Sequence, residues 1–143
     1  MALGIGDRLP SFSLEDQNGD LRTPASVQGR WLVLFFYPKD DTPGCTAEAC
    51  SFRDNAESFA ALDAEVWGIS GDDAVSHRRF ATRHNLTFPL LCDRNNALRR
   101  EMGVQKALGL LPGRVTYIVD RKGVIRHTFS NLLDGQAHVR EAQ

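Results

Sequence analysis

The sequence predicts an α/β fold in which a central mixed β-sheet is flanked by helices and preceded by an N-terminal β-hairpin. The run from Trp31 to Tyr37 is apolar without alternation, which is typical of a strand covered on both faces. Further strand-like segments alternate with helical periodicity and end in a strand pair. This order indicates parallel strands joined by crossover helices, with an antiparallel pair at one edge.

The N-terminal hairpin is predicted from two short arms, Ser11 to Leu14 and Asp20 to Thr23, on either side of Gln17-Asn18-Gly19. An Asn-Gly pair can supply the positive φ that tight hairpin turns require. The central strand follows the hairpin and stops at Pro38.

A long helix is predicted after this strand, with a helical pattern from Thr46 onward. Apolar residues recur at intervals of three and four, while charged residues take other positions. The apolar positions are Ala49, Phe52, Ala56, Phe59 and Leu62. The predicted helix therefore has one face that can pack on the sheet.

The next part of the chain continues the alternation of strand and helix. Val66 to Ser70 has the composition of a buried strand, and Asp73 to His84 has the periodicity of an amphipathic helix. Asn95 to Met102 is predicted to be a short third helix. Leu90 and Leu91 are assigned to the link between these two helices.

A final strand pair is predicted at Val115 to Val119 and Val124 to Phe129. The segment Gly109 to Gly113 is predicted to be an exposed or docking loop, and the tail after Leu133 to be a terminal helix. No repeat, linker or low-complexity segment interrupts the chain. We therefore expect a single domain over residues 1–143.

Composition argues against several classes of protein. Charged residues make up 24% of the chain and the net charge is -1, which gives no strong field for nucleic acid or a membrane surface. The longest apolar run is far short of the roughly 20 residues that a membrane-spanning helix needs. Met1 to Pro10 shows no signal-peptide pattern. We therefore expect a cytoplasmic protein.

Cysteine usage gives the first indication of chemistry. Three cysteines are an odd number in a chain large enough to fold without disulfides, which favours reduced thiols or redox chemistry. Cys45 should lie in the first helical turn, with Thr42 as N-cap and Pro43 at the first helical position. Backbone amides and the helix dipole favour a thiolate there. The alternative is that Cys45 is a small buried apolar side chain.

The spacing Pro38-x-x-x-Thr42-x-x-Cys45 resembles the peroxiredoxin signature. The longer stretch from Tyr37 to Cys50 resembles the peroxiredoxin Q, or bacterioferritin comigratory protein, subfamily. Four further segments extend the resemblance over nearly the whole chain: Gly6-Asp7 through Ser13-Leu14, Gly68-Ile69-Ser70 through Ser76-His77, Phe88-Pro89-Leu90-Leu91 with Asp93, and Arg114 through Asp120. The resemblance implies a thioredoxin-like fold.

The resemblance also implies roles for individual residues. Cys45 would be the peroxidatic residue, whose thiolate attacks the peroxide, and Thr42 would hydrogen-bond both the peroxide and the thiolate. Pro38 would shield the site from water. Arg114 matches the family's active-site arginine, whose permanent charge and fixed donors suit a thiolate and a peroxide together. The alternative for Arg114 is a surface salt bridge.

Cys50 would be the resolving residue by the same resemblance. It lies five residues after Cys45, and an intact α-helix would hold their Cα atoms ~8.6 Å apart and ~140° from each other around the axis. A disulfide usually needs a separation below about 7 Å. If the two cysteines bond, the first turns of the helix must unwind. The alternative is that Cys50 packs inward.

Other polar and sulfur-bearing residues are assigned structural roles. Cys92 follows an apolar run, and we expect a structural thiol. Lys39, Asp40 and Asp41 are expected to be solvated, and the resemblance implies that they help to shape the rim of the pocket, with no catalytic step. The four histidines show no metal-ligand spacing, and His77 and His84 fall on a helix surface predicted to be polar. We therefore predict no metal and no cofactor.

The predicted function is a thiol-dependent peroxidase of the atypical 2-Cys type that reduces hydrogen peroxide and organic hydroperoxides. A Cys45 sulfenic acid would condense with Cys50, and a thioredoxin-like reductant would reduce the resulting disulfide. The resemblance implies an antioxidant role in cell redox homeostasis and a monomer or weak dimer. Two alternatives stay open: a general thiol-disulfide oxidoreductase, which the missing Cys-x-x-Cys disfavours, and a redox sensor or holdase.

Overall fold

The computed structural model describes residues 4–40, 42–103, 106–107, 111–112 and 115–130. The strands are β1 (Leu14–Glu15), β2 (Leu21–Arg22), β3 (Trp31–Phe36), β4 (Ala64–Ser70), β5 (Leu90–Cys92), β6 (Lys106–Ala107), β7 (Leu111–Pro112), β8 (Val115–Val119) and β9 (Ile125–Ser130). The α-helices are α1 (Pro43–Asp54), α2 (Ala56–Ala61), α3 (Ala74–His84) and α4 (Ala97–Met102). Five strands form the central sheet in the order β5-β4-β3-β8-β9. The predicted α/β class with a mixed sheet is confirmed.

The central strand β3 forms as predicted because its residues are apolar toward both faces. β4 runs parallel to it and β8 runs antiparallel, so that Leu34 pairs with Trp67 on one side and Tyr117 on the other. All three of these side chains are buried. The continuous apolar run is therefore the sequence of a strand with a neighbour on each side and a layer of packing on each face.

Two apolar layers cover the sheet. Successive side chains of a strand point to opposite faces, and the even-numbered residues of β3 pack in one layer with Met102 of α4. The odd-numbered residues from 33 to 37 pack in the other layer with Phe52, Phe59 and Phe80, which belong to α1, α2 and α3. The carboxyl end of β3 therefore lies between the two layers, next to the start of α1.

Several predicted elements are confirmed with small changes of boundary. β1 and β2 form the N-terminal hairpin, and β8 and β9 form the final antiparallel pair. α3 begins after Asp73, whose side chain accepts a hydrogen bond from the Ser76 N–H at 2.8 Å. It ends at Asn85, which adopts the left-handed conformation that often terminates helices (φ 54°).

The assignment of Leu90 and Leu91 to a helix link is wrong. With Cys92 they form β5, an edge strand of the central sheet that runs parallel to β4. Both leucines are fully buried. A run this short has no periodicity that separates a strand from a linker, and its position depends on pairing with residues 68–70.

The long helix predicted after β3 breaks at Asn55, which separates α1 from α2. The backbone there has φ -104° and ψ 15°, and the Asn55 side-chain amide donates to the Ser51 carbonyl at 2.7 Å. Such a bond competes with the backbone ladder of a helix. The rings of Phe52 and Phe59 still lie 5.6 Å apart across the break, so apolar spacing alone did not reveal it.

Two further expectations change in detail. Asn95 and Asn96 have positive φ (58° and 55°), so α4 begins only at Ala97. The predicted loop from Gly109 to Gly113 contains β7, which pairs antiparallel with β6, while residues 108–110 and 113 lie outside the described residues. The predicted helix after Leu133 also lies outside them.

Gly68 in β4 occupies a position where a side chain has no room. A Cβ atom there would stand 2.7 Å from Phe35 Cζ and 2.9 Å from Leu90 Cδ2. The Phe35 ring is itself held by stacking on Phe52, with centroids 4.5 Å apart. We therefore expect Gly68→Ala to lower the free energy of unfolding by about 1–3 kcal/mol, measured from the urea midpoint.

The matched control is Gly4→Ala, because no atom lies within 4 Å of a Cβ placed at that glycine. Its urea midpoint should equal that of the original protein. An unchanged midpoint for Gly68→Ala would contradict the tight packing of β4 against β3 and β5.

Candidate active site

Cys45 lies in the first turn of α1, just beyond the end of β3. α1 begins at Pro43, and Thr42 takes the N-cap position with an extended backbone (φ -86°, ψ 150°). The Thr42 carbonyl accepts from the Thr46 N–H at 2.8 Å, so the helical ladder starts where the sequence predicted. Cys45 is 1% exposed. Its sulfur therefore lies in a nearly water-free position beside the first-turn amides, which favour negative charge.

The loop between β3 and α1 is closed by a side chain. Thr42 Oγ1 donates to the Lys39 carbonyl at 2.9 Å, and the Thr42 side chain makes no cap bond to α1. Thr42 and Pro38 are both half-buried. The structure thus brings Pro38, Thr42 and Cys45 together in one short segment, while the roles predicted for Pro38 and Thr42 remain predictions.

Arg99 of α4 is a buried cation at the same end of the sheet. It is 3% exposed, its Nη2 donates to the Tyr37 carbonyl at 2.8 Å, and its guanidinium carbon lies 5.4 Å from the centroid of the Phe36 ring. Burial lowers the pKa of Arg99 to about 10, and interactions with Asp93 and Cys45 oppose that fall. Arg99 is therefore charged at neutral pH and interacts electrostatically with Cys45.

Sequence reasoning missed Arg99 because its segment was assigned only as a short amphipathic helix. The signal in the sequence was the position of Arg99 between the apolar residues Leu98 and Met102. The structure shows that both are buried, and an arginine among buried residues is unusual. Arg114, the arginine that was predicted instead, lies outside the described residues, and its role remains a prediction.

Cys50 lies further along α1 and is half-buried. α1 runs unbroken from Pro43 to Asp54, so Cys45 and Cys50 are separated within one continuous helix. All three cysteines are thiols in this structure. A bond between these two would require the start of α1 to unwind, as the spacing predicted.

Asp40 is not solvated, contrary to the expectation for this loop. It is 5% exposed, and its Oδ1 accepts from Tyr37 Oη at 2.6 Å. Its Oδ2 accepts from Ser76 Oγ at 2.8 Å and lies 2.8 Å from His77 Nδ1. The loop before Cys45 is therefore joined to α3 through a buried carboxylate, because partners distant in sequence satisfy it.

His77 is fully buried, so its assignment to a polar helix surface is wrong. The nearest oxygen and nitrogen atoms of Asp40, Asp72 and His77 lie within 4.8 Å of one another, a spacing that could hold a metal ion. Both ring nitrogens of His77 already have hydrogen-bond partners, Asp40 and the Leu91 carbonyl. These contacts make the cluster a hydrogen-bond network, and the expectation of no metal stays a prediction.

Cys92 in β5 differs from Cys45 in its surroundings. It is 4% exposed, and burial, with a smaller contribution from the negative charge of Glu15, raises the pKa of the Cys92 thiol to about 11. Because the thiolate is the reactive form, this thiol is unreactive at neutral pH. The surroundings therefore favour the structural role predicted for Cys92.

We expect Cys92 to resist alkylation in the folded protein. With a pKa of about 11, only ~0.1% of the thiol is ionised at a pH of about 8, and the fraction rises about tenfold for each pH unit up to the pKa. The measurement is iodoacetamide labelling of the Cys45→Ser/Cys50→Ser variant, followed by peptide mass analysis. Labelling in denaturant serves as the control. Equal rates in the folded and denatured states would contradict the burial of Cys92.

Comparison with known proteins assigns the chain to a family. The sequence model described as "AhpC/TSA family" matches residues 5–128. The chain belongs to the AhpC/TSA family. Its relatives include a wheat (Triticum aestivum) peroxiredoxin Q, 47% identical over 133 residues that make up 92% of this chain and 61% of the wheat protein. A Sedum lineare peroxiredoxin Q is 44% identical over 95% of this chain and 74% of its own length. The chain spans about three fifths of the length of several such relatives.

Solved structures support the same assignment within the AhpC/TSA family. BcpB, a peroxidoxin of Mycobacterium tuberculosis, aligns over 98% of this chain and 94% of its own, with a TM-score of 0.90 and 35% identity. A cysteine-to-serine mutant of Xanthomonas campestris peroxiredoxin Q aligns over 92% of this chain and 87% of its own, with a TM-score of 0.85 and 28% identity. The predicted thioredoxin-like fold and the resemblance to the peroxiredoxin Q subfamily are confirmed.

The expected cytoplasmic location is wrong by this comparison. The curated relatives from wheat, poplar and Arabidopsis thaliana are named as chloroplastic, which contradicts the expectation. The expectation came from the lack of a signal-peptide pattern in Met1 to Pro10, which does not specify a compartment. Within the described residues, none of the helices has the length and apolar character to cross a bilayer.

Proposed function

We propose that this chain is a thiol peroxidase that reduces hydrogen peroxide and organic hydroperoxides through Cys45. The observation that carries the proposal is a nearly buried thiol in the first turn of a helix, with the buried cation Arg99 interacting with it. Membership of the AhpC/TSA family supports this chemistry. A Xanthomonas campestris bacterioferritin comigratory protein with alkyl peroxide reduction activity is similar in structure, with a TM-score of 0.78.

The first step is an attack of the Cys45 thiolate on one oxygen of the peroxide. The sulfur–oxygen bond forms as the oxygen–oxygen bond breaks, and the second oxygen leaves as hydroxide or alkoxide and takes up a proton. The sulfur is oxidised to sulfenic acid and the peroxide is reduced. Hydrogen-bond donors and positive charge aimed at the leaving oxygen lower the barrier, because negative charge develops there.

The proposed donors come from the residues around Cys45. First-turn amides of α1 favour the thiolate, and Arg99 contributes a positive charge nearby. Thr42 is proposed to hydrogen-bond the peroxide and the thiolate, Pro38 to exclude water, and Arg114 to supply the family's active-site guanidinium. These roles follow from the resemblance of two segments, Tyr37 to Cys50 and Arg114 to Asp120, to peroxiredoxin Q.

The second step is condensation of the Cys45 sulfenic acid with the thiol of Cys50. The two sulfurs join and water leaves. Both residues lie in α1, so its first turns unwind before the bond forms. A thioredoxin-like dithiol then reduces the disulfide by exchange, which restores both thiols. No bound cofactor takes part in this proposed cycle. We propose that the chain acts as one domain, either as a monomer or as a weak dimer.

Intact mass after one equivalent of hydrogen peroxide tests this function. The original protein should become two hydrogen atoms lighter, because a disulfide forms, and the peptide map should join Cys45 to Cys50. The Cys50→Ser variant should instead gain one oxygen atom on Cys45. An unchanged mass in both proteins, with peroxide still present, would overturn the proposed function.

A further inference from the structure

His77 joins Asp40 to β5 through its two ring nitrogens. Nε2 faces the Leu91 carbonyl at 2.9 Å, and a carbonyl oxygen only accepts, so Nε2 carries a hydrogen. Nδ1 faces the carboxylate of Asp40, which already accepts from the hydroxyl groups of Tyr37 and Ser76. Nδ1 lies 2.8 Å from Asp40 Oδ2, so His77 and Asp40 form a buried hydrogen-bonded pair.

The hydroxyl of Tyr37 remains a donor within this network. Burial raises the pKa of Tyr37 well above its usual value, and the negative charge of Asp40 raises it further. The phenol is therefore protonated and keeps its 2.6 Å bond to Asp40 Oδ1. Because Tyr37 directly follows β3, this bond fixes the loop carboxylate to the end of the central strand.

The backbone of the same loop is also held. The Asp40 N–H donates to Asp72 Oδ2 at 2.8 Å, and Ser70 Oγ donates to the same oxygen at 2.7 Å. The Thr42 hydroxyl closes the turn back to the Lys39 carbonyl. Since α1 begins at Pro43, its first turn cannot unwind freely while Asp40 is fixed at its side chain and its backbone.

A buried hydrogen-bonded pair responds differently to a change of one partner and to a matched change of both. Replacement of the Asp40 carboxylate alone puts an amide donor among groups that were bonded to acceptor oxygens, and a buried polar group without a matching partner is costly. Replacement of both partners by neutral groups that hydrogen-bond each other removes that penalty. The double substitution should therefore disturb the loop less than the single substitution does.

We propose that Asp40 and His77 are positioning residues that hold the loop before α1 while the first turn of α1 is helical. The bond between Asp40 and His77 breaks before Cys45 reaches Cys50. This inference deepens the proposed function and rests on its Cys45–Cys50 disulfide. The pair stabilises the dithiol form relative to the disulfide form. Its loss shifts the equilibrium toward the disulfide and makes the reduction potential more negative.

The test measures the reduction potential of the Cys45–Cys50 disulfide in mixtures of reduced and oxidised dithiothreitol. Oxidised dithiothreitol takes up the two electrons and two protons as the protein thiols join, so no peroxide is involved. For Asp40→Asn we expect about a tenfold shift toward the disulfide, which is about 30 mV for a two-electron couple. For Asp40→Asn/His77→Gln, whose amides can bond each other, we expect the potential to return toward the original value.

Asp16→Asn is the matched control for global destabilisation. Asp16 is a carboxylate that is 1% exposed and pairs with Arg22 at 2.9 Å, but it belongs to the N-terminal hairpin. Its loss should lower the urea midpoint without a change of potential. An unchanged potential in Asp40→Asn, an equal shift in Asp16→Asn, or no recovery in the double variant would each overturn the inference.

Tyr37→Phe gives a second, milder variant if Asp40→Asn does not fold. It removes the bond to Asp40 Oδ1 and the 3.4 Å contact with His77 Nδ1 but keeps the Asp40–His77 bond, so a smaller shift in the same direction is expected, and no shift overturns the inference. Failure of the original protein to form the disulfide contradicts both this inference and the resolving step. A protein that forms the disulfide in dithiothreitol but consumes no peroxide contradicts the proposed function alone.

Discussion

Replacement of Cys45 by serine is expected to abolish peroxide consumption, with a fall in rate of roughly a thousandfold or more. A serine hydroxyl stays protonated at neutral pH, so the variant has no anionic nucleophile, although serine fits a position that is 1% exposed. The measurement is the initial rate of hydrogen peroxide loss with dithiothreitol as reductant.

Cys92→Ser is the control for this experiment, because it also removes a buried thiol but leaves the start of α1 intact. Its rate should match that of the original protein, since the Cys92 thiol has a pKa of about 11 and is protonated at neutral pH. Full activity in Cys45→Ser, or loss of activity in Cys92→Ser alone, would show that the reactive sulfur has been assigned to the wrong residue.

Replacement of Cys50 by serine is expected to leave one rapid turnover per chain and to stop further turnover with a thioredoxin-like donor. Cys45 can still reach the sulfenic acid, but no neighbouring thiol remains to condense with it. The measurement is the burst of peroxide loss after rapid mixing, together with trapping of the sulfenic acid by dimedone. The expected burst amplitude is one peroxide for each chain.

The Cys50→Ser/Cys92→Ser variant shows whether Cys92 can substitute as the resolving thiol. We expect the same burst and the same block as in Cys50→Ser, because Cys92 lies buried in β5 at the edge of the sheet. Continued turnover of Cys50→Ser at the original rate with the protein donor would mean that Cys50 is a structural residue. Loss of that turnover only in the double variant would instead assign resolution to Cys92.

The parts of the fold that were predicted correctly have a pattern within their own segment. β3 is recognisable because its six consecutive residues are apolar, and five of them are buried. α3 is recognisable from its periodicity and its Asp73 cap. β5 was missed because its three residues acquire their structure from pairing with β4. The break at Asn55 was missed because Phe52 and Phe59 keep helical spacing across it.

The residues of the candidate site also fall into those that a local pattern predicts and those that only tertiary contacts reveal. Pro38, Thr42 and Cys45 are close in sequence, so their spacing alone indicates that they share a loop and a helix start. Arg99 and His77 come from distant segments, and their burial follows from tertiary contacts with the Tyr37 carbonyl and with Asp40. A local pattern assigns a charged residue to the surface. It does not show the partner elsewhere in the chain that would allow the residue to be buried.

The break at Asn55 has a consequence for how far unwinding can spread. α1 has 12 residues and α2 has 6, and helix formation is cooperative only along an uninterrupted ladder. When the start of α1 unwinds, α2 keeps its anchor, Phe59, in the apolar layer. We therefore expect amide hydrogens at residues 46–50 to exchange with deuterium faster in the disulfide form than in the dithiol form, while those of α2 keep the same protection in both.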